Sequence, residues 1–541
     1  MGKLFKSSPF QRFPSSAIFS TKILGIAVFT IFFVLVMVNQ IEMVINSHQF
    51  IPLPSNQWSH IRIVPLPMNV TNGTDVYFLH DTFTFETTSS SKILKSAIQR
   101  YHSLIFTQQT SNGIDSSFDP LNDKIAGFNL TDNTNINPNF INKLVINIIS
   151  KDETLQLGMD ESYSLLLETK GFELNAKTVF GALRGLESFS QMIEYSRFNT
   201  ASSYFIQHCP WRIFDKPRFQ HRGTLLDTSK QYIPIQAIQS FIDALSYSKF
   251  NVFHWHLIVG SQKTQSNNQT YSHSEIKTIV EYAKERGIRV LVEVDMPAAG
   301  QKCNIAFDSS TDEPYELALG LMKETRHLFP ENLIHFGRYK ENMVCNDDKD
   351  SSEEIKKDRI DKTNTGVWEF FQSKIVDYIL QQENQERSPV LWQMDDDDDN
   401  DNNNLLSIEN DESLIPKQVI LQINQLSTLQ RAIENGYRVI ASNSFGGLNQ
   451  TWQSLYNNDF TVNITNSDQL ARVLGGETNM EITQVVIDDD KKSIISQDWI
   501  TRNAAAAERL WSPPCINGAD LERDVEPRLE RFQLLLMSRV N

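Results

Sequence analysis

From about residue 215 onward the chain alternates short apolar runs with segments of helical spacing, and it does so for about 300 residues. "GTLLDTS" is strand-like and "PIQAIQSFIDALSYSK" is helical. "NVFHWHLI", "IRVLVEVDMP", "NLIHFG", "SPVLWQM", "VILQIN" and "YRVIASNSF" repeat the strand character, with helical segments such as "HSEIKTIVEYAKERG", "YELALGLMKETRHLFP" and "TLQRAIENG" between them. Strands that read as continuous apolar runs are buried on both faces, which is the signature of a parallel sheet covered by helices. The pattern predicts an α/β fold, a parallel (β/α)8 TIM barrel over residues 211–541. A doubly wound sheet would show the same alternation, but no G-x-G-x-x-G follows the first strand.

At 541 residues the chain exceeds what one core accommodates. Residues 45–210 mix strand-like stretches ("HIRIVPLPMNV", "DVYFLHDTFTFE", "NKLVINIIS") with helical ones ("SKILKSAIQRYHSLIF", "AKTVFGALRGLESFSQMIEY"), which predicts a small α+β domain before the barrel. Ahead of it, Ile23 to Val38 carries no charge, follows Lys3, Lys6, Arg12 and Lys22, and can extend through Ile41, Met43 and Val44. The charge asymmetry predicts a cytosolic basic tail at 1–22, a signal-anchor transmembrane helix at 23–44, and a lumenal or extracellular remainder in the secretory pathway. A cleaved signal peptide is the competing reading, but no small-x-small site follows Val38.

Acceptor sequons at Asn69, Asn72, Asn129, Asn268, Asn449 and Asn463 agree with glycosylation in that compartment, where the four cysteines can also form disulfides. There is no C-x-x-C and no zinc-like spacing, so no metal site is read from the sequence. The net charge of −16 gives no basic surface for phosphates and excludes a nucleic-acid partner. Part of that charge sits in the low-complexity insert 394–404, "MDDDDDNDNNN", which reads as a solvated loop and fits no calcium-loop spacing.

A TIM barrel carries its chemistry at the C-terminal ends of its strands. Those ends supply Arg222 and Asp227, then His254, Trp255 and His256, then Glu293 and Asp295, then Gly337 to Glu341. Trp392 and Gln393, Gln422 and Asn424, Ser444 and Phe445, and Glu477 follow. "HRGTLLDTSKQYIPI", "LSYSKFNVFHWHLI", "IVEYAKERGIRVLVEVDMP", "VFGALRGLESFSQ" and "AAAAERLWS" resemble the glycoside hydrolase family 20 β-N-acetylhexosaminidases, of the lysosomal β-hexosaminidase subunit type. The resemblance runs from about Gln57 to beyond Trp511 and implies the same two-domain architecture, a disulfide between Cys303 and Cys345, and no cofactor.

In that family the sugar's own 2-acetamido oxygen attacks the anomeric carbon, a Glu protonates the leaving oxygen and the preceding Asp orients the acetamido group. Both acids belong to a strand-end motif, H-x-G-G-D-E. Counted from His335, the second Gly becomes Arg338, the Asp becomes Tyr339 and the Glu becomes Lys340. A general acid contributes about 10²–10⁴-fold and must hold a transferable proton near the working pH. Lysine titrates near ~10.4, and its cation opposes an oxocarbenium-like transition state. The other pocket positions fail separately. The resemblance aligns family pocket residues with Val259, Ala299, Thr451, Glu481 and Thr483, none of which can replace them, while Arg222, which grips sugar hydroxyls in the family, and Trp392, a pocket wall, are retained.

Bland readings stand beside these. Arg222 can be a buried ion-pair partner of Asp227 or Glu293, His254 and His256 can be core histidines, and Trp392 and Trp511 can be barrel filling. The chain is read as a membrane-anchored glycoprotein of hexosaminidase type that has lost its catalytic pair. It would act as a non-catalytic subunit of a homo- or heterodimer with a family 20 hexosaminidase, or bind N-acetylhexosamine glycans. The alternative is an active lysosomal β-N-acetylhexosaminidase with Glu341 as general acid and terminal GlcNAc or GalNAc as substrate. A third reading, Lys340 as base or nucleophile, needs a strongly depressed lysine pKa.

Overall fold

A mixed eight-stranded sheet forms the first domain. Its strands are β1 (Asn69–Thr71), β2 (Asp75–Thr87), β3 (Asn139–Ile148), β4 (Tyr163–Glu168), β5 (Gly171–Ala176), β6 (Glu194–Phe198), β7 (Ala201–Cys209) and β8 (Trp211–Asp215), arranged β1-β8-β4-β5-β3-β2-β7-β6. The computed structural model describes residues 61–106, 139–198, 201–229, 231–257, 270–295, 313–337, 375–381, 387–393, 415–442, 450–480, 494–516 and 519–540. The expected tail 1–22, anchor 23–44 and acidic insert 394–404 lie outside them. Among the described residues no helix is long and apolar enough to cross a membrane.

Helices α1 (Lys92–Phe106) and α2 (Val179–Met192) belong to this domain. In α1 the buried residues Ile93, Leu94, Ala97, Tyr101 and Ile105 recur at three- and four-residue steps, so one stripe faces inward. Thr178 caps α2 by accepting the Gly181 amide at 3.2 Å. All of α2 is buried, because it is covered by the sheet on one side and reaches the barrel on the other.

Two boundaries differ from the sequence expectation. β8 pairs with β1 and β4, so the sheet runs on through Asp215, past the boundary expected at 210/211. "HIRIVPLPMNV" is strand only from Asn69. The buried segment before it satisfies its backbone through side chains instead: Arg528 donates to the carbonyls of Ile61 and Ile63, and the Gln191 amide pairs with both backbone groups of Val64.

The barrel follows, with every strand parallel to its neighbours: β9 (His221–Asp227), β10 (Val252–His256), β11 (Arg289–Asp295), β12 (Leu333–Gly337), β13 (Ser388–Gln393), β14 (Ile420–Ile423), β15 (Arg438–Ser442) and β16 (Val473–Met480), closing on β9. The α/β reading with a TIM barrel behind a small α+β domain therefore holds. Near the strand starts the interior is apolar, filled by Val252, Leu291, Leu333, Val390, Ile420, Ile440 and Leu474.

The N-terminal side of the barrel meets the first domain through buried ion pairs. Arg222 and Arg184 both bind Glu161, and the Asn251 amide donates to the same carboxylate at 3.0 Å. Lys249 reaches Asp215 at 3.0 Å, and Trp511 Nε1 donates to Asp215 at 2.9 Å.

Candidate functional site

Two residues above the apolar layer, the period-2 alternation of the strands sends His254, Glu293, His335, Trp392 and Gln422 into the interior. β16 would follow with Gly476 but does not. Its pairing with β15 slips at Leu474, a bulge that re-phases the strand. Gly475 holds φ +148° there, and a Cβ on it would lie 1.8 Å from the His221 carbonyl. Glu477 enters the barrel as a result, and Gly223 opposite leaves room for it: a Cβ there would sit 2.7 Å from Glu477 Oε1.

Glu477 is the hub of this polar layer. It meets His221 Nε2 at 2.6 Å and His254 Nδ1 at 2.8 Å, and accepts from Gln422 Nε2 at 2.8 Å. On the far side of His254, Nε2 lies 3.0 Å from Glu293 Oε2, close but outside hydrogen-bond alignment. Trp392 Nε1 donates to Glu293 Oε1 at 2.7 Å, and the Trp392 ring lies 5.2 Å from that of His335. His335 makes no hydrogen bond at either ring nitrogen.

The electrostatics follow from burial and neighbours. Burial opposes charge on His254, but Glu477 and Glu293 flank it and raise its pKa to about 9. His335 is pushed down to about 3 by burial. Burial would raise Glu293 and Glu477. The histidines around them outweigh it: His335, His256 and His254 hold Glu293 below the usual carboxylate range, and His254 and His221 hold Glu477 there. At the rim, Asp227 lies 3.2 Å from His256 Nδ1 and accepts from Ser229 Oγ at 2.6 Å. Against the upward push of burial, these partners keep it below the ordinary aspartate value. All three described acids are thus held ionised, so they can accept a proton or bind a cation but cannot donate a proton.

Of the residues singled out in the sequence, Trp392 is brought into this layer, half-buried. Arg222 is not. It sits at the N-terminal end of β9, 1 % exposed, with Nε donating to the Lys249 carbonyl, Nη1 to the Phe219 carbonyl and Nη2 to Glu161 at 2.7 Å. The expected sugar-gripping role is corrected on that ground: its donors are committed at the domain junction. The ion-pair reading was nearer, but the partner is Glu161 rather than Asp227 or Glu293.

Thr451 caps a short helix, α3 (Trp452–Asn457), accepting the Ser454 amide at 3.2 Å. Arg338, Tyr339, Lys340 and Glu341 lie outside the described residues, directly after β12, as do Val259, Ala299, Glu481, Thr483, Cys303 and Cys345. Among the sequons, Asn69 is half-buried in β1 and Asn72 and Asn463 are exposed, while Asn129, Asn268 and Asn449 are outside the described residues. Cys209 is a buried free thiol, pushed up to about 12 mainly by burial. Sequence reasoning missed the assembly of His335, Glu477, Gln422 and His221 into one layer. The signal was present as single polar residues interrupting apolar strands.

Comparison with known proteins agrees with this architecture. The chain matches the family model described as "beta-acetyl hexosaminidase like" over residues 63–192, and "Glycosyl hydrolase family 20, catalytic domain" over 219–262 and 258–311. It is 32 % identical over 541 residues to Beta-hexosaminidase subunit B1 of Dictyostelium discoideum, covering 88 % of each chain. Identity to Beta-hexosaminidase 1 of Arabidopsis thaliana is 29 %, over 88 % of this chain and 89 % of that one. The chitobiase structure from Flavobacterium johnsoniae superposes with a TM-score of 0.67 at 25 % identity, over 89 % of this chain and 73 % of that one. A Streptomyces coelicolor family 20 β-N-acetylhexosaminidase structure, 16 % identical, shares the fold with a TM-score of 0.60, over 91 % and 97 %.

Proposed function

The chain belongs to the glycoside hydrolase family 20 β-hexosaminidases, and on that footing we propose that it is a non-catalytic member that binds glycan or serves as a subunit. The observation that carries the reading is the end of β12. His335 to Gly337 occupy the strand, so Arg338-Tyr339-Lys340 stand where the family's acids would begin the loop. A lysine there cannot replace a carboxylic acid as proton donor at the acidic to neutral pH of the secretory pathway. The described acids nearby offer no substitute, because Asp227, Glu293 and Glu477 are all held ionised.

In this reading residues 23–44 anchor the protein with its barrel in the lumen, and a family 20 hexosaminidase is its partner. The Dictyostelium relatives are named as subunits, which suits such a role.

The test is turnover of a fluorogenic β-N-acetylglucosaminide by the purified chain from pH 4 to 7, beside an active family member. The expected result is no turnover from folded protein. Turnover that survives Lys340→Ala and disappears in Glu341→Gln would replace this reading with a working hydrolase whose acid is Glu341.

A further inference from the structure

We propose that His254, Glu293 and His335 form an interior binding site for one divalent transition-metal ion of the zinc type. The three residues come from consecutive strands β10, β11 and β12, where Glu293 is in register with His335 and two pairs along from His254. They are fully buried, and one ligand atom from each lies within 4.8 Å of the others. His254 Nε2 is 3.0 Å from Glu293 Oε2, and His335 Nδ1 is 3.8 Å from Glu293 Oε1. Tetrahedral bonds of about 2.0–2.1 Å to a zinc ion would place ligand atoms about 3.3–3.4 Å apart, inside the 4.8 Å that bounds the three ligand atoms here.

A second observation points the same way. Both ring nitrogens of His335 have no hydrogen-bond partner and lie inside the protein, while His254 Nε2 and Glu293 Oε2 have only each other, 3.0 Å apart. Buried polar atoms are normally satisfied, so an imidazole with neither nitrogen partnered, beside that pair, calls for a ligand that accepts a lone pair. The outer partners are those a metal site uses. His254 turns its other nitrogen to Glu477 at 2.8 Å, giving a carboxylate–histidine pair behind the site. Trp392 fixes the second oxygen of Glu293, and Gln422 fixes Glu477. Two imidazoles and one carboxylate suit zinc, iron or cobalt and not the hard ions calcium or magnesium, and they leave a position open for water or a ligand atom. The proposal does not depend on whether the chain turns over sugars.

The test strips the full chain with chelator and titrates it with Zn²⁺ by calorimetry and with Co²⁺ by visible absorption. The expected result is one ion per chain, cobalt d–d bands of a low-coordinate nitrogen–oxygen site, and a thermal midpoint that rises with added Zn²⁺. Glu293→Gln, nearly isosteric, and His335→Asn are each expected to weaken binding more than about 100-fold, and Glu477→Gln about 10–100-fold. His273→Gln, at an exposed histidine, is expected to change nothing. Melting of each metal-free variant establishes that it is folded. The proposal is overturned if no stoichiometric ion binds at micromolar Zn²⁺. It is equally overturned if folded Glu293→Gln and His335→Asn retain it, since the ion would then sit elsewhere.

Discussion

The two ends of the barrel bury charge in opposite ways. At the N-terminal end Glu161 is matched by Arg222, Arg184 and Asn251, and Asp215 by Lys249, Tyr163 and Trp511. Across the apolar layer, His335 has no hydrogen bond and His254 and Glu293 face each other without alignment. The first end joins two domains, and the groups around Glu161 and Asp215 there are saturated by protein. The second retains unspent capacity at the end where this fold places function. A buried ion pair that is fully hydrogen-bonded specifies a junction; one left incomplete in the interior costs stability without fixing a contact.

Glu161 is where the contrast should break most strongly. Glu161→Ala leaves two buried guanidinium groups without their counter-charge and is expected to cost about 3–5 kcal/mol, read from the denaturation midpoint. A loss below about 1 kcal/mol, the level of an exposed pair, would mean the junction is not held by this network. The same group gives a pH signature. Burial would raise the Glu161 carboxyl, but Arg222 and Arg184 outweigh it and hold it below the ordinary 4.5. Its contribution is therefore complete above pH 4.5 and lost as pH falls through the lower folded value. Thermal midpoints of wild type and Glu161→Gln are expected to differ most above pH 5 and to converge in stronger acid. A gap that stays constant down to pH 3 would remove Glu161 as its source.

At the other end the expected effect is smaller. Trp392→Phe keeps a ring beside His335 but deprives Glu293 Oε1 of its donor, an expected cost of about 1–3 kcal/mol. An unchanged midpoint would mean Glu293 is as well served there as Glu161 is below, and the contrast between the two ends would weaken.

The barrel was legible because parallel strands must be apolar on both faces, so alternation alone announced it. The proposed acid-to-lysine replacement at residue 340 could be read because it lies close to His335 in the chain. What was not legible depends on contacts far apart in sequence. Arg222 finds its partner 61 residues upstream, in the other domain, so its environment could not be read from "HRGTLLD". Glu477 reaches the interior only because the bulge at Leu474 re-phases β16; strict alternation predicts Gly476. The three potential metal ligands sit one per strand, which leaves no short spacing to recognise.

Thr451 carries the smallest effect and the sharpest separation of fold from chemistry. The family resemblance places a sugar-binding aspartate there, whereas the structure shows a threonine capping α3. Thr451→Ala removes the cap and is expected to cost about 1 kcal/mol. Aspartate is an equally good cap and its charge suits a helix N-terminus, so Thr451→Asp should leave the denaturation midpoint within about 0.5 kcal/mol of wild type. On the proposed non-catalytic reading it should also leave turnover at zero, because restoring one sugar contact supplies no proton donor at position 340. Turnover appearing in Thr451→Asp would mean that a working acid is already present and that only substrate binding had been lost. Stability retained without turnover would separate the two roles of this position, the cap serving the fold and the proposed proton-donor loss lying elsewhere in the sequence, at Lys340.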